Sequence, residues 1–304
     1  MPQVVGIDIG EGNLKVALTE IETRKITHVY RGPTAKGKAL LKQIYGVVDK
    51  LRGFEGIGIA SPGLLNAGRG IIQKARHLGI RNLKITEALE RRYGVQTFLT
   101  NESVASLLGE KLFGAGGAYK DMAFLRISAG IECAVMLNNN VLLGKDGNAH
   151  EMGHTVIDAN SDVKCGCGRK GHWEAFCSGQ GIPVFAKYLL DTKYAKYVSS
   201  LRKAKALDAK AVFEAAARKD AVAKKVIGEI SRLNVMGVAN IVELYDPELL
   251  VIGGSVARNN EDAIMTPIVR GVGKYTARLN RLPKIAMTSL GDNATLYGAV
   301  ADFL

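Results

Sequence analysis

The feature that most constrains this chain is the segment from His150 to Glu174, where residue types that bind metals are concentrated. Two cysteines separated by one glycine lie here, with a histidine on either side of the pair: Cys165, Cys167, His154 and His172. Gly168 and Gly171 allow the chain to fold back, because glycine adopts positive φ angles readily. Two thiolates and two imidazoles form the tetrahedral set that Zn²⁺ prefers in structural sites. The segment therefore predicts a zinc site.

Two alternatives need no metal. A disulfide between Cys165 and Cys167 is disfavoured, because a bridge across one residue is strained and no signal peptide pattern begins the chain. Ordinary buried thiols are the second alternative. The spacing and the ligand types favour zinc over both.

The same segment carries a longer pattern, E-M-G-H at 151–154 followed by C-x-C-G-x-x-G-x-x-E at 165–174. This pattern resembles the signature of the ROK family, which comprises repressors, uncharacterised open reading frames and sugar kinases. The chain departs from it at His172, where the family has a third cysteine, and histidine is a competent zinc ligand. The resemblance implies that three side chains hold sugar hydroxyls: Glu151, His154 and Glu174. Zinc would fix His154 so that its other ring nitrogen faces the sugar.

The N-terminal residues predict a strand over 3–9, a glycine turn and a return strand over 14–20. This opening resembles the first phosphate hairpin of the actin, hexokinase and Hsp70 superfamily. The likeness implies that Asp8 holds Mg²⁺ through water and that the amides of Gly10 and Gly12 cradle phosphates. Plain turn chemistry is the alternative, since Asp-x-Gly is common in hairpins.

Apolar periodicity predicts alternating strands and helices along the rest of the chain. Helices are expected over 36–51, 84–93, 179–190, 208–218, 220–244 and 264–274. Strands are expected over 26–32 and 95–100, within 54–68 as a buried strand that runs into a Ser-Pro-Gly loop, within 122–144 as two strands, before Gly253, and after 284, where a last helix follows. The resemblance implies a two-lobed α/β fold of the actin-like ATPase (ribonuclease H-like) type. We expect residues 1–114 plus 290–304 to form the first lobe, and residues 115–289 to form the second, which carries the zinc motif.

A strand ending in Asn101 and Glu102 precedes a helix that begins near Ser103. Kinases of the family carry Asn-Asp here, and the aspartate takes the proton from the attacking hydroxyl. The resemblance therefore implies that Glu102 is the general base and that Asn101 helps to orient the sugar. The alternative is that Glu102 only stabilises the helix N-terminus. The Ser-Pro-Gly loop that ends at Gly63 borders the sugar in the family.

The second phosphate hairpin is matched poorly, since Ser128-Ala129-Gly130 stands where the family has Gly-Thr-Gly. We expect Gly130 to approach the nucleotide phosphates. The pair Gly253 and Gly254 corresponds to glycines that lie against adenosine, although plain strand–helix packing explains them equally well. Two carboxylates, Glu11 and Glu132, are expected in turns that approach the polyphosphate, where like charges repel.

The formal net charge of +12 first indicates nucleic acid as a partner. The basic segments 187–210 and 270–284 have few interleaved aromatic residues, so solvated faces are favoured and nucleic acid is disfavoured as a partner. No apolar run is long enough for a membrane span, and the cysteine usage is typical of the cytoplasm. No helix-turn-helix precedes Val4, which disfavours the repressor branch. The family often forms dimers or tetramers, so a homodimer or homotetramer is expected.

These observations together predict a sugar kinase with ATP, Mg²⁺ and structural Zn²⁺. It would phosphorylate a hydroxyl, expected to be the primary one, of a hexose or an N-acetylated amino-hexose. The altered hairpins and Glu102 keep one alternative open, which is a sugar-binding protein of the same fold without phosphoryl transfer.

Overall fold

The computed structural model describes residues 2–277 and 281–304. Thirteen strands form in this part of the chain: β1 Gln3–Ile9, β2 Asn13–Glu20, β3 Ile26–Pro33, β4 Phe54–Ser61, β5 Leu64–Asn66, β6 Ile71–Ala75, β7 Ile80–Lys84, β8 Gln96–Asn101, β9 Met122–Ile127, β10 Ile131–Leu137, β11 Asn140–Val141, β12 Leu249–Gly253 and β13 Lys284–Met287.

Ten α-helices lie in the same described residues: α1 Ala39–Val48, α2 Ile85–Tyr93, α3 Glu102–Phe113, α4 Glu174–Cys177, α5 Gly181–Asp191, α6 Ala209–Ala217, α7 Ala221–Tyr245, α8 Ser255–Asn259, α9 Glu261–Gly271 and α10 Ala294–Gly298. One of the short 3₁₀ turns, Met152–His154, directly follows Glu151. Over the described residues, no helix is both long and apolar enough to cross a membrane.

The strands form two five-stranded sheets with the same internal order. The first runs β3-β2-β1-β4-β8 and the second runs β11-β10-β9-β12-β13. In each sheet the third strand in this order pairs antiparallel with its hairpin partner and parallel with the next strand, so β1 is equivalent to β9. The chain thus contains two halves of the same mixed α/β architecture, in agreement with the predicted two-lobed fold. The lobe boundaries at residues 114 and 290 stay predictions.

Each sheet has its own hydrophobic core. In the first half, α1 buries the four apolar side chains that its periodicity predicts: Leu40, Ile44, Val47 and Val48. In the second half, the fully buried Trp173 packs against α7, and its indole N–H donates to Asn234 Oδ1 at 2.9 Å. This contact fixes the Cys–His segment to the longest helix of the chain.

The last helix, α10, packs closely on α3 of the first half. A Cβ atom at Gly109 would lie 2.1 Å from the carbonyl oxygen of Ala294, and one at Gly298 would lie 1.7 Å from that of Ala105. Only glycine permits backbones to approach this closely. The two helices therefore hold the C-terminal residues against the first sheet.

Most predicted elements form, with ends that differ by a few residues. The strand predicted at the start of 54–68 forms as β4 and ends at the Ser-Pro-Gly loop, as expected, whereas the three-stranded sheet of β5, β6 and β7 that follows was not predicted. The predicted helix at the C-terminus ends at Gly298 and continues only as a 3₁₀ turn. The basic segment 270–284 includes residues 278–280, which lie outside the described residues.

Candidate active site

A cleft of about 1040 Å³ lies between the two sheets. Its walls are formed by residues at or just after the carboxyl ends of β1, β4, β8, β9 and β12, the edge at which open α/β sheets bind ligands. Most of the predicted site residues line it: Asp8, Gly10, Gly12, Gly63, Glu102, Gly130, Glu151, His154, Glu174 and Gly254.

Two of the residues predicted to bind sugar or nucleotide do not line the cleft. Asn101 is only 3% exposed, and its Oδ1 accepts a hydrogen bond from the Ser103 backbone N–H at 2.7 Å, which caps α3. Gly253 is buried in β12, where a Cβ would lie 2.6 Å from the Phe124 ring. Packing on Phe124 therefore accounts for this glycine, whereas Gly254 has φ +90° and faces the cleft.

One end of the cleft is organised around Asp8. Its side chain is nearly buried and accepts a hydrogen bond from Lys15 Nζ at 2.9 Å. The two residues are direct partners in the β1–β2 register, so the hairpin itself creates this ion pair. Glu11 is exposed in the turn of this hairpin, as expected. Arg258 forms an ion pair with Asp292 on the wall of this end.

The floor of the cleft holds an ion pair that the sequence does not reveal. Glu102, the first residue of α3, accepts a hydrogen bond from Arg126 Nη2 on β9 at 2.8 Å, and the exposed fractions of the two side chains are 11% and 20%. Burial raises the pKa of Glu102 to about 8; Arg126 opposes this shift and the neighbouring carboxylates Glu132 and Asp8 add to it. Burial alone would lower the pKa of Arg126, but the carboxylates of Glu102, Glu132 and Asp8 raise it.

The prediction that Glu132 lies in a phosphate-binding turn is wrong. The turn between β9 and β10 is limited to 128–130, and Glu132 lies in β10 directly opposite Arg126. Its Oε2 accepts a hydrogen bond from the Ser103 hydroxyl. Because Glu132 lies two residues beyond the turn, its carboxylate contacts α3 and not the hairpin turn.

The opposite end of the cleft carries the predicted sugar ligands. His154 Nε2 lies 3.5 Å from Glu151 Oε2. Glu174 begins α4, and its Oε2 accepts a hydrogen bond from the Ile131 backbone N–H at 3.0 Å. Burial raises the pKa of Glu151 to about 7, and Glu132 contributes to this shift. Three polar side chains therefore converge on one wall.

Behind this wall lies the Cys–His cluster, which we define as His154, Cys165, Cys167 and His172. One ligand atom from each residue lies within 4.8 Å of the others. Cys165 Sγ is 3.6 Å from His154 Nδ1, and Cys167 Sγ is 3.3 Å from His172 Nδ1. Gly168 and Gly171 have φ angles of +93° and +71°, as the predicted return of the chain requires. All four cysteines of the chain lie in the described residues and are free, which excludes the disulfide alternative here.

Three residues at or near the cleft were not predicted from the sequence: Lys15, Arg126 and His150. Arg126 had a local signal, because it is the one charge in the otherwise apolar strand Met122–Ile127. His150 is 2% exposed, and burial lowers its pKa. Its proximity to Glu132 depends on pairing between distant segments, which no local pattern reveals.

Comparison with known proteins adds a family to this geometry. Residues 4–303 match the family model described as the ROK family. A glucokinase from Aeropyrum pernix is 31% identical, with 99% of this chain and 96% of that protein covered. A xylose repressor from Caldicellulosiruptor bescii is 26% identical, with 98% of this chain and 77% of the repressor covered.

Among solved structures, the ROK hexokinase of Thermus thermophilus superposes with a TM-score of 0.82 at 26% identity. The match covers 98% of this chain and 97% of that chain. This structural similarity extends over nearly the whole chain and agrees with the predicted two-lobed, actin-like α/β fold. Relatives that are enzymes and relatives that are repressors thus share the architecture described above.

Proposed function

The chain belongs to the ROK family, and from that premise we propose that it is a sugar kinase. It transfers a phosphoryl group from a nucleotide, ATP, to a hydroxyl of a hexose or an N-acetylated amino-hexose. The observation that carries this proposal is the position of the Glu102 carboxylate on the cleft floor, between Asp8 at one end and Glu151, His154 and Glu174 at the other. The glucokinase from Aeropyrum pernix, at 31% identity, supports it.

In the proposed step, Glu102 accepts the proton of the attacking sugar hydroxyl. The hydroxyl oxygen forms a bond to the terminal phosphorus, and the bond from that phosphorus to the leaving nucleoside diphosphate breaks. Glu151, His154 and Glu174 orient the sugar through hydrogen bonds to its hydroxyls. Such transfer depends mainly on positioning and on neutralisation of charge.

The residues present fit the metal ions that the family implies. Asp8 and Glu11 bring carboxylate oxygens to the donor end, and these are the ligands that Mg²⁺ prefers. Asp8 would hold the ion, which when bound neutralises phosphate charge. The Cys–His cluster fits Zn²⁺, since its four ligand atoms converge within 4.8 Å. Nδ1 of His154 faces Cys165, so its Nε2 is left to face Glu151 and the sugar.

A second candidate function is sugar binding without phosphoryl transfer. It is favoured by the ion pair between Glu102 and Arg126, which engages the base, and by the Glu11 carboxylate in the donor hairpin. The sugar wall is identical under both functions. The two functions therefore differ only in what happens at the donor end.

The test is a phosphorylation screen read by mass spectrometry. Glucose, mannose, fructose and their N-acetylated amino forms are paired with ATP, ADP or pyrophosphate in the presence of Mg²⁺. Glu102→Gln is compared with Glu87→Gln, a matched change on the exposed face of α2.

A sugar phosphate that disappears in Glu102→Gln and persists in Glu87→Gln supports the kinase and its base together. Product that persists in Glu102→Gln removes this residue from the mechanism. Saturable sugar binding by calorimetry without product from any pair supports the second function.

A further inference from the structure

A second group of metal-binding side chains lies beside the cleft, separate from the Cys–His cluster. It consists of Glu132 on β10 and the neighbouring residues His150 and Glu151, and one ligand atom from each lies within 4.8 Å of the others. Only Glu151 has a role in the proposed kinase. Two of its members therefore have no function assigned by the proposed mechanism.

His150 has a buried ring nitrogen that no side chain or backbone group within residues 2–277 and 281–304 satisfies. The residue is 2% exposed, and its Nε2 has no hydrogen-bond partner among the described residues. The nearest charged oxygen, Oε1 of Glu151, lies 3.8 Å away, which is too long for a hydrogen bond. A buried polar nitrogen without a partner destabilises the folded state. A cation bound between this nitrogen and the carboxylates would remove that destabilisation.

No lysine or arginine of the described residues forms an ion pair with either carboxylate. Arg126 lies opposite Glu132 in the sheet and feels its charge, but its close ion pair at 2.8 Å is with Glu102. In the described part of the chain, the only ion-pair partners of Glu151 are His150 and His154. Two carboxylates that converge without a lysine or arginine repel each other and attract a cation.

Glu132 has one carboxylate oxygen held by a hydrogen bond, and Glu151 has one oxygen close to the His154 ring. Glu132 Oε2 accepts a hydrogen bond from the Ser103 hydroxyl. Glu151 Oε2 faces His154 Nε2 at 3.5 Å, whereas its Oε1 faces His150. Hydrogen bonds of this kind orient ligands in metal sites. The group is therefore arranged as a ligand set with its outer contacts already made.

We propose that Glu132, His150 and Glu151 bind a divalent transition-metal cation. Two carboxylates and one imidazole suit Mn²⁺, Fe²⁺, Co²⁺ or Zn²⁺ better than Ca²⁺ or Mg²⁺, which prefer oxygen ligands alone. Three protein ligands leave coordination positions open for water or hydroxyls. Because Glu151 also faces the cleft, a bound sugar would contact the ion; this last point rests on the proposed function.

The experiment uses Mn²⁺ as the probe, on the full chain loaded first with one equivalent of Zn²⁺ to fill the Cys–His cluster. Electron paramagnetic resonance of free Mn²⁺ measures the stoichiometry and affinity without sugar or nucleotide. The variants are Glu132→Gln and His150→Gln, and the matched control is Glu87→Gln, which changes an exposed carboxylate of α2.

We expect one Mn²⁺ per chain, an affinity at least about tenfold lower in both variants, and unchanged binding in the control. Electron spin echo modulation of the wild-type complex should show coupling to one imidazole ¹⁴N, which is lost in His150→Gln. This measurement on the wild type does not depend on how well a variant folds.

Absence of a ¹⁴N coupling, or the same affinity in wild type and both variants, overturns the proposal. Neither result bears on phosphoryl transfer, because no substrate is present. A change in the Mn²⁺ spectrum on addition of glucose would extend the proposal to the sugar, and no change would confine the ion to the protein alone.

Discussion

Removal of the Arg126 guanidinium should move the pH dependence of catalysis. In the proposed mechanism Glu102 acts as a base only when it is ionised, so kcat should fall as the pH falls below its pKa, which burial raises to about 8. Arg126 stabilises the ionised form from 2.8 Å. Without it the pKa of Glu102 rises further, and the acid limb of the kcat profile moves to higher pH.

The size of this shift follows from the geometry. Two unit charges about 4 Å apart interact by roughly 4 kcal/mol at an effective dielectric constant of about 20. Water that enters the cavity left by the side chain replaces about half of this interaction. The remaining ~2 kcal/mol corresponds to roughly 1–2 pKa units. At pH 7, kcat of Arg126→Met should therefore fall by roughly 10- to 100-fold, and the deficit should shrink above about pH 9.

The assay is the initial rate of nucleoside diphosphate formation from pH 5.5 to 10 at saturating substrates. Arg126→Lys keeps the charge and should retain most of the wild-type profile. Arg92→Met removes an exposed arginine–carboxylate pair on the surface and should leave the profile unchanged. A loss of the same factor at every pH, with the acid limb in its original place, would refute the electrostatic role of Arg126.

Three further predictions concern the metal and the stability of the fold. Mass spectrometry of metals should find zinc in the purified chain and little zinc in Cys167→Ser. The control Cys177→Ser changes a buried thiol that is hydrogen-bonded to a backbone carbonyl, and it should keep the zinc. Equal zinc contents in the two variants would contradict binding by the Cys–His cluster. Asp220 accepts hydrogen bonds from five donor groups at the start of α7, which belong to Ser199, Ser200, Val222 and Ala223. Burial alone would raise the pKa of Asp220, but these hydrogen bonds lower it to about 2. Asp220→Ala should lower the free energy of unfolding in urea by about 1–2 kcal/mol near pH 7. Because the pKa of Asp220 is lower in the folded state than in the unfolded state, this difference between variant and wild type should vanish as the pH falls from about 4 to 2. A difference that stays constant with pH would show that the ionisation of Asp220 is not coupled to folding. Gly298→Ala should lower the free energy of unfolding by about 1–3 kcal/mol, because the added methyl group overpacks the contact between α10 and α3. Gly228→Ala, on the open face of α7, should raise the free energy of unfolding by up to ~1 kcal/mol. Similar melting temperatures for the two variants would contradict the close contact of the two helices.

Local patterns predicted much of the molecule correctly. The four buried positions of α1 follow from apolar periodicity alone. The Cys–His cluster also follows from local spacing, because its two cysteines and His172 lie within one short loop whose glycines permit the return. Such features depend on residues close in sequence, and a single chain is enough to reveal them.

Features that depend on short strands, on hairpin register or on contacts between separate elements were missed. The small sheet of β5, β6 and β7 was not predicted, because its strands are short and only partly apolar. Glu132 was assigned to a turn because the length of the β9–β10 turn is set by the register of the hairpin. The contacts of Arg126 with Glu102 and of His150 with Glu151 and Glu132 join elements that periodicity cannot place side by side.

Two of the residues at which this chain departs from the family pattern, Glu102 and Glu132, are connected through Arg126 and Ser103. Glu102 replaces the expected aspartate and binds Arg126, and Arg126 lies opposite Glu132 in the sheet. Glu132 in turn bonds Ser103, the residue next to Glu102. Glu102→Asp alone would withdraw the carboxylate by about one methylene from a guanidinium that stays in place, which is a displacement large enough to cost on the order of 10²-fold in rate. Changes at residues that share contacts are not additive. We therefore expect phosphoryl transfer to depend on this connected set, so restoring the family residue at one position should not restore the family's geometry.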